Sequence, residues 1–441
     1  MKKLIIAFRK ILLIFIPICG ISSCSQEKQP ERPNVILIMA DDMGYECLSA
    51  NGSTSYATPE IDMMAEMGMR FTLPISQPLC TPTRVKIMTG RYNYRNYERF
   101  GHLLSSELTF GNVMKKGGYA TCIAGKWQLN GLAYKDSIND WEDSSRPVKF
   151  GFDEYCLWQL TKERKEGGRF ANPLIEQNGV ILERDQDAYG PDIFSNYILD
   201  FIERKKEEPF FVYYPMVLVH SPFVPTPDSP EWSDPELRNK RDNKYFADMV
   251  SYTDKIIGKI LAKLDDLEIA DNTIVIFTGD NGTNKNIVSQ TRTGDVRGGK
   301  GNTIDAGTRV PLVIHYPNGI KEGRVYNGLV EFSDFFPTLA EIAGVQAESD
   351  GQSLYGLLSG SEVYGRETAF VHYDPRWLGA SLYRNRFVRT TRYKLYQDGR
   401  YFDLSKDVLE QSELNMDSLT LSESEIRDML QLELDRAPEW K

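Results

Sequence analysis

The sequence contains few histidines and no long apolar segment, and both shortages limit what the chain can be. Four histidines occur among 441 residues, and the six cysteines match neither a zinc-binding spacing nor a dense disulfide framework. No repeat of fixed period and no long low-complexity tract is present. The formal net charge is −10, so a broad nucleic-acid-binding face is not expected. An anionic substrate would need a local cluster of lysine and arginine.

The composition that remains is typical of a globular protein, with 41% hydrophobic, 26% charged and 11% aromatic residues. A chain of this length can bury a large core and is more easily divided into two units than built as one. We predict a signal peptide over residues 1–23, a lipidated spacer over 24–32, a main domain over 33–364 and a C-terminal subdomain over 365–441.

The N-terminus is typical of an export signal. Four basic residues precede an apolar run, Ile11 to Ile18, that is too short to span a bilayer. The next segment, Ile21-Ser22-Ser23-Cys24, resembles the bacterial lipobox, in which the cysteine becomes the acylated first residue. We therefore expect an exported lipoprotein, anchored to a membrane at Cys24, in the periplasm or outer membrane of a Gram-negative bacterium. The alternative is a cleaved signal with an incidental cysteine. Cleavage removes four positive and no negative residues, which leaves a net charge of −14.

Four cysteines remain after the signal and the lipid site are set aside: Cys47, Cys80, Cys122 and Cys156. An oxidising compartment would allow two disulfides among them. The sequence leaves their pairing open.

Short apolar runs alternate with amphipathic helical patterns through the main domain. The apolar runs are Asn34–Met39, Pro209–Pro215, Thr273–Thr278 and Pro311–His315, and the helical patterns include Tyr245–Leu267 and Phe332–Ala343. Runs without polar alternation are typical of strands buried on both faces of a parallel sheet. The sequence therefore predicts an α/β fold with a large, mostly parallel sheet flanked by helices.

The pattern changes after about residue 365. Ser381 to Tyr396 alternates in polarity, Asp398-Gly399 favours a hairpin turn, and Arg400 to Leu404 resumes a strand. A polar helix is expected over about Ser422 to Arg436. These features predict a small C-terminal antiparallel sheet with one helix.

Cys80 lies where a loop is expected to become a helix. Thr81 is a candidate N-cap, Pro82 suits the first helical position, and Gly90 suits the C-terminal stop. Helix N-termini favour anions, and Arg84 projects from the same side as Cys80. The pattern indicates either a reactive sulfur beside an anion site or a buried structural thiol.

Two strands end in oxygen-bearing side chains. Asp41 and Asp42 follow the first predicted strand, and Asp280 and Asn281 follow the Thr273–Thr278 run. In open α/β sheets, ligands bind beyond the carboxyl ends of the strands. Three carboxylates and an amide suit Ca²⁺ or Mg²⁺, whereas each pair alone is more often a turn or helix cap.

With these residues in view, the sequence resembles the type I, formylglycine-dependent sulfatases of the alkaline-phosphatase superfamily. Pro78 to Gly90 fits the first family signature throughout, and Gly118 to Trp127 fits the second up to its last position. The Pro33–Asp42 opening, the Asp280-Asn281-Gly282 turn and Arg297-Gly-Gly-Lys300 correspond in the same order. The resemblance extends from about Pro33 to the C-terminus and implies an alkaline-phosphatase-like fold.

The resemblance implies that a formylglycine-generating maturation enzyme oxidises Cys80 to formylglycine (3-oxoalanine), whose hydrated aldehyde is the nucleophile. A thiol attacking a sulfate ester would leave a stable thiosulfate adduct, whereas a geminal diol gives a sulfate hemiacetal that can expel sulfate. One Ca²⁺ is implied, held by the Cys80-derived oxygen and by Asp41, Asp42, Asp280 and Asn281.

The resemblance also assigns roles to other residues. Arg84 corresponds to the residue that fixes the charges around the formylglycine and the metal, and Lys126 and Lys300 correspond to the sulfate-binding lysines. His220 matches the histidine that protonates the leaving alkoxide, and an imidazole titrating near neutrality suits that task. Gln128 departs from the family pattern, which has histidine there. An amide can hydrogen-bond the substrate or the diol but cannot take a proton, so turnover would need another base or would be slow.

Three functions follow from the sequence. The first is hydrolysis of sulfate esters on a sulfated carbohydrate, the second is hydrolysis of phosphomonoesters or phosphodiesters, and the third is glycan binding without catalysis because of Gln128. The Tyr92–His102 segment has the aromatic and basic content of a sugar-stacking loop, although a surface loop with core-facing aromatics fits as well.

Overall fold

The centre of the protein is a ten-stranded mixed sheet, seen in a computed structural model that describes residues 32–361, 364–377 and 383–440. In chain order the strands are β1 (Asn34–Ala40), β2 (Met69–Ile75), β3 (Ala120–Lys126), β4 (Glu154–Trp158), β5 (Ile175–Gln177), β6 (Val180–Ile181), β7 (Phe210–Pro215), β8 (Thr273–Gly279), β9 (Val288–Thr291), β10 (Gly294–Arg297), β11 (Leu312–His315), β12 (Arg324–Glu331), β13 (Ala369–Tyr373), β14 (Asn385–Arg389), β15 (Tyr393–Tyr396) and β16 (Tyr401–Asp403). The large sheet has the order β12-β2-β11-β8-β1-β7-β3-β4-β5-β6, and β9 and β10 form a separate ribbon.

The middle of this sheet is parallel. The neighbouring strands β8, β1, β7, β3 and β4 all run the same way, while antiparallel pairs join β11 to β8 and β5 to β4 toward the two edges. The predicted α/β fold class is confirmed, with the parallel strands as the centre of a mixed sheet. Because their carboxyl ends meet at one edge, that edge is where a ligand site is expected.

Helices cover both faces of the sheet. They are α1 (Pro59–Met67), α2 (Cys80–Thr89), α3 (Asn93–Asn96), α4 (Phe110–Lys116), α5 (Arg146–Lys149), α6 (Gly190–Lys205), α7 (Tyr245–Asp266), α8 (Asp305–Thr308), α9 (Phe335–Ile342), α10 (Tyr355–Leu358) and α11 (Leu421–Asp435). Strand β1 explains why the sheet needs unbroken apolar runs: Ile36 and Ile38 pack into the core shared with α1, α6 and α7, whereas Val35 and Leu37 pack into the core shared with α2, α4 and α9.

The C-terminal strands form the predicted antiparallel sheet, in the order β13-β14-β15-β16. One face of this sheet packs against Ile75 and Leu329 of the large sheet, and the other is covered by Leu430 and Leu434 of α11. The alternating Ser381–Tyr396 segment is two strands, β14 and β15, divided by a turn at residues 390–392. Residues 381 and 382 lie outside the described residues. The boundary at residue 365 stays a prediction.

The predicted signal peptide and residues 24–31 of the spacer also lie outside the described residues. Within the described residues, no helix is both long and apolar enough to cross a bilayer. The four cysteines discussed above are all buried and free, so the structure pairs none of them in a disulfide.

Candidate active site

The two predicted oxygen-ligand pairs meet at the carboxyl end of the parallel strands. Strands β1 and β8 are adjacent, with Ala40 opposite Gly279, so the residues that follow them emerge side by side. The amide N–H of Asp42 donates to Oδ1 of Asp280 over 2.9 Å, and Nδ2 of Asn281 donates to Oδ1 of Asp42 over 2.9 Å.

These side chains have the properties of a site for a hard divalent cation. Asp41, Asp42, Asp280 and Asn281 are all at most 2% exposed, and one ligand atom each from Asp41, Asp280 and Cys80 lies within 4.8 Å of the others. Oδ1 of Asp41 and Oδ1 of Asn281 are buried and accept no hydrogen bond from a described residue. Carboxylate and amide oxygens left open in this way are the donor set that Ca²⁺ and Mg²⁺ prefer.

Electrostatics also favour a cation here. Burial raises the pKa of Asp280 well above its usual value, and the neighbouring negative charges of Asp41 and Asp42 raise it further. Burial also raises the pKa of Asp41, but the surrounding cations, Lys126 first among them, together lower it by more, so that pKa is below its usual value. Three carboxylates crowded into a buried space repel one another, and a divalent cation would relieve that repulsion.

Cys80 is the first residue of α2 and is 3% exposed. The predicted N-cap at Thr81 is wrong: Leu79, in extended conformation, caps the helix, and its carbonyl accepts the N–H of Thr83. Pro82 is therefore the third helical residue, where its missing N–H still costs nothing. Gly90 ends the helix with φ +66°, as predicted. The helix N-terminus thus points Cys80 at the acidic cluster.

The thiol of Cys80 is not activated by its surroundings. Burial raises its pKa, Lys126 lowers it, and Asp41 raises it again, with a net increase above the usual cysteine value. A buried, protonated thiol is a poor nucleophile. The free thiol of Cys80 is therefore not a ready nucleophile in this site.

Arg84 fastens α2 to the end of β3. Its Nη1 donates to the carbonyl of Trp127 over 2.5 Å, and its Nη2 donates to the carbonyl of Lys126 over 2.7 Å. At 1% exposure it is buried beneath the site. Its contacts position Cys80 relative to Lys126, and its charge lies close to both.

The two predicted anion-binding lysines are paired with the acidic cluster. Nζ of Lys126 donates to Oδ2 of Asp41 over 2.7 Å, and Nζ of Lys300 donates to Oδ2 of Asp42 over 2.6 Å. Burial lowers the pKa of each lysine, but the nearby carboxylates raise it by more, so both stay charged. Lys126 is 2% exposed and Lys300 is 18% exposed, which places the opening of the site on the Lys300 side.

His220 lies on the same opening, with Nε2 at 3.7 Å from Oδ2 of Asp42 and 18% of its side chain exposed. Burial lowers its pKa to about 4; Asp42 and Asp41 raise it, whereas Lys300 and Arg169 lower it. This differs from the near-neutral value expected from sequence, because the ring is desolvated next to two cations. The imidazole is neutral at pH 7 and must receive a proton before it can donate one.

Sequence reasoning missed Arg169. Its Nη2 lies 2.9 Å from Nδ1 of His220 and donates to the carbonyls of His220, over 3.0 Å, and Ser221. The guanidinium also lies over Trp158, 4.9 Å from the ring centroid. Arg169 stands in a loop between β4 and β5 with no motif around it, so only the folded structure reveals that it holds His220.

Gln128 follows Lys126 by two residues and, within the described residues, forms no hydrogen bond with the charged cluster. Its backbone has φ +46°, and its amide N–H donates to the carbonyl of Gln159 over 3.1 Å. Both glutamines line a cavity of about 190 Å³ that also holds Phe100 and Trp377. The two aromatic rings are stacked with centroids 4.1 Å apart, so one member of the Tyr92–His102 segment contributes to a cavity wall.

Comparison with known proteins gives two family matches. The model described as Sulfatase matches residues 33–345, well over half of the chain. The model described as N-sulphoglucosamine sulphohydrolase, C-terminal, matches residues 300–438.

Individual relatives and solved structures agree with these matches. The chain is 30% identical over 359 residues to the N-acetylgalactosamine-6-sulfatase of Mus musculus, a match that covers 73% of this chain and 64% of the relative. It is 28% identical over 438 residues to the N-acetylgalactosamine-6-O-sulfatase of Bacteroides thetaiotaomicron, covering 81% and 83%. A solved Bacteroides thetaiotaomicron structure, described under metabolism of multiple glycosaminoglycans, superposes with a TM-score of 0.73 at 24% identity, covering 92% of this chain and 99% of that one. At that identity the superposition shows the fold alone. The chain spans 64% of the length of the mouse and human relatives it matches.

Proposed function

Because the chain belongs to the sulfatase family, we propose that it hydrolyses sulfate esters and that its substrate is a sulfated carbohydrate. The observation that carries this proposal is the meeting of four oxygen-bearing side chains from β1 and β8 at the buried Cys80. Lys126 and Lys300 offset two of the three carboxylates, and a divalent cation would offset the remaining charge and use the open oxygens of Asp41 and Asn281.

The proposal includes two groups that the chain would acquire. Asp41, Asp42, Asp280, Asn281 and the residue at position 80 would hold Ca²⁺, and the open oxygens of Asp41 and Asn281 fit that role. When bound, the cation supplies charge stabilisation at the reacting oxygens, and Cys80 converted to formylglycine supplies the nucleophile.

The lysines would bind the sulfate group. Lys126 and Lys300 donate to different carboxylates of the acidic cluster, and each would exchange that contact for a sulfate oxygen. Arg84 would keep the residue at position 80 in place through its two carbonyl contacts. A sulfuryl group held in this way is oriented for attack along one direction, which is a large part of the rate gain expected for such transfers.

His220 would deliver a proton to the leaving sugar oxygen from Nε2. Its Nδ1 side is occupied by Arg169 and the Ser221 carbonyl, so Nε2 is the ring atom that faces the site. The neutral ring would first take up a proton there and then release it to the alkoxide. Gln128 would contribute a hydrogen bond to substrate, and the slow step would be release of sulfate from the enzyme.

The carbohydrate part of the proposal is supported by the relatives and by one cavity. The Bacteroides thetaiotaomicron relative is named for a sulfated amino sugar. The cavity next to Gln128 pairs a stacked aromatic wall, Phe100 on Trp377, with the amides of Gln128 and Gln159. Aromatic faces and amides together are suited to sugar faces and hydroxyls.

The test begins with protein produced in a host that has a formylglycine-generating enzyme. Mass spectrometry of the peptide around Cys80 measures conversion, and hydrolysis of aryl sulfate and aryl phosphate is then compared with a Cys80→Ala control. We expect that Cys80 is converted and that the protein hydrolyses aryl sulfate in a calcium-dependent way. The Cys80→Ala control should show neither conversion nor hydrolysis. Faster cleavage of aryl phosphate would favour the phosphoester hydrolase instead, because two lysines and a cation suit either tetrahedral anion. An unconverted Cys80 with retained glycan binding would favour the non-catalytic alternative.

We also propose that the mature protein is exported and tethered through a lipid at Cys24, on the strength of the lipobox-like Ile21–Cys24 segment. Metabolic labelling with a radioactive fatty acid tests this against a Cys24→Ala control. Label retained by the control would contradict the assignment.

A further inference from the structure

Behind His220 lies a groove whose walls carry three arginines. Arg164, Arg169 and Arg241 line a cavity of about 230 Å³. A second cavity of about 350 Å³ shares Arg164, Pro222 and Arg241 with the first, so the two are adjacent. We call this combined space the arginine groove.

The positive charge of the arginine groove is not balanced by its own walls. Arg164 and Arg241 are exposed, and neither forms a hydrogen bond or ion pair with another described residue. Arg169 is 4% exposed, and its Nε is buried without a hydrogen-bond partner in the described residues. Asp242 is the acidic residue among the lining residues, and its Oδ1 already accepts the N–H of Lys244.

The three positively charged guanidinium groups around this space repel one another. Burial lowers the pKa of Arg169 to about 10; Asp41 raises it and Arg164 lowers it. Arg169 stays charged at neutral pH at this value, so the repulsion persists. An anion in the groove would offset it, because arginine forms short, paired hydrogen bonds with carboxylate and sulfate oxygens.

The arginine groove is separated from the reacting centre by a single side chain. Arg169 contacts Nδ1 of His220 over 2.9 Å, and Nε2 of the same ring lies 3.7 Å from Oδ2 of Asp42. The groove therefore lies within one imidazole ring of the oxygen that His220 would protonate, a separation that a neighbouring sugar could span.

The remaining walls are also suited to a carbohydrate. Trp158 and Phe170 form the buried floor of the groove and hold Arg169, whose guanidinium lies 4.9 Å and 5.0 Å from the two ring centroids. Amide side chains supply donors and acceptors for hydroxyl groups: Asn239, Asn243, Asn284 and Asn286. A purely inorganic anion would use the arginines but none of these other surfaces.

We propose that the arginine groove binds a second anionic group of the substrate, a carboxylate or a second sulfate on the same sugar chain as the reacting ester. The proposal rests on the proposed function for the reacting ester itself. Arg164 and Arg241 would select the doubly charged substrate, and Arg169 would act as a positioning residue that joins the groove to His220.

The first experiment measures binding without turnover. Cys80→Ala protein is titrated by calorimetry with three sulfated disaccharides that differ only in the neighbouring sugar, which is neutral, a uronic acid or a second sulfated sugar. Arg164→Gln/Arg241→Gln in the same background is compared with Arg436→Gln, which changes an exposed arginine directly after the last helix. Two charge-assisted contacts predict a loss of about tenfold to a hundredfold in affinity for the doubly charged ligands, relative to the neutral-neighbour ligand.

The outcomes separate the groove from the proposed function. A preference for the uronic acid or the second sulfate identifies the anion, and its loss in the double variant but not in Arg436→Gln supports the groove. An unchanged preference in a double variant that unfolds at the parental temperature would overturn it. In protein whose Cys80 has been converted, the double variant should also show a lower ratio of kcat/KM for the doubly charged substrate to kcat/KM for the singly charged one. This fall should match the loss of binding preference. A salt-sensitive preference for two anions without any turnover would keep the groove and reject the sulfatase proposal.

Discussion

Two buried charge clusters lie at the two ends of helix α2, and they are built in opposite ways. At its N-terminus are the aspartates and lysines around Cys80. In its last turn, Lys86 pairs with Glu331, and Arg366 bonds both Glu331, over 3.1 Å, and Asp334, over 2.8 Å. The first cluster is assembled from the ends of parallel strands, whereas the second lies between α2, β12 and the start of α9.

The second cluster is closed. Two positive and two negative side chains are present, every carboxylate oxygen of Glu331 and Asp334 has a partner, and the Tyr364 hydroxyl adds a further bond to Asp334 over 2.7 Å. The first cluster leaves acceptor oxygens of Asp41 and Asn281 open. The difference teaches that buried charge alone does not indicate function, whereas buried charge with unbonded acceptors beside a cavity does.

Breaking the closed cluster should have the largest effect on stability. Arg366→Met leaves two buried carboxylates with one remaining lysine, which predicts a loss of about 3 to 5 kcal/mol in the free energy of unfolding. Chemical denaturation measures this loss, and the kcat of the folded fraction should stay within a few-fold of the parent. A stability loss under about 1 kcal/mol would show that the cluster is not structural.

Breaking the open cluster should lower activity instead. Asp280→Asn removes a ligand charge, and we expect kcat/KM for aryl sulfate to fall at least about a hundredfold, equivalent to about 2.7 kcal/mol. In calcium-free buffer the same variant should unfold at or above the parental temperature, because Asp280 is repelled by Asp41 and Asp42. Calcium should raise the unfolding temperature of the parent more than that of the variant. Equal destabilisation in both buffers would contradict the distinction between the clusters.

Acid should lower the free energy of unfolding through the buried His372. Burial, and after it the charge of Arg386, whose Nε donates to Nδ1 of His372 over 3.1 Å, lower the pKa of His372 to about 3. Since the unfolded chain binds this proton more tightly, stability present above pH 6.5 is lost as pH falls, by up to about 1.4 kcal/mol per pH unit. Denaturation at pH 7, 6 and 5 should give a shallower slope for His372→Gln, which keeps the acceptor. Equal slopes for the parent and His372→Gln would mean that His372 takes up its proton at the same pH in the folded and unfolded chain.

The smallest effect is expected at Gln128. Gln128→His restores the residue usual in the family and supplies a proton acceptor beside the site. If release of sulfate is slow for lack of a base, kcat should rise by about tenfold with a new dependence on pH near 6.5. Gln159→His, in the same cavity wall, serves as the matched control. A fall in kcat with unchanged pH dependence would show that the amide makes a contact that histidine cannot replace.

The sequence predicted most of the site residues that follow the strands. Asp41, Asp42, Asp280 and Asn281 follow apolar runs, and once those runs are parallel neighbours their ends must meet. Loops are different, because no periodicity fixes their path. Arg169 could not be found for that reason, and neither could the approach of Phe100 to Trp377, which joins segments far apart in the chain.

Local errors have local causes. The helix at Cys80 begins two residues before the expected proline position, because an extended Leu79 can cap a helix through its backbone without a polar side chain. The alternating segment before Tyr396 contains a turn at Thr390 whose hydroxyl replaces the usual glycine signal by accepting the N–H groups of Arg392 and Tyr393. The pKa of His220 depends on Arg169 and on burial, neither of which is visible in sequence.

The burial of Cys80 limits when this residue could be modified. A side chain with 3% exposure, at the foot of a finished fold, is out of reach of another enzyme's catalytic groups. Its conversion to formylglycine would have to occur on the newly made, still extended polypeptide. Modification would then compete with folding in each molecule, and slower folding would give a larger fraction of converted protein.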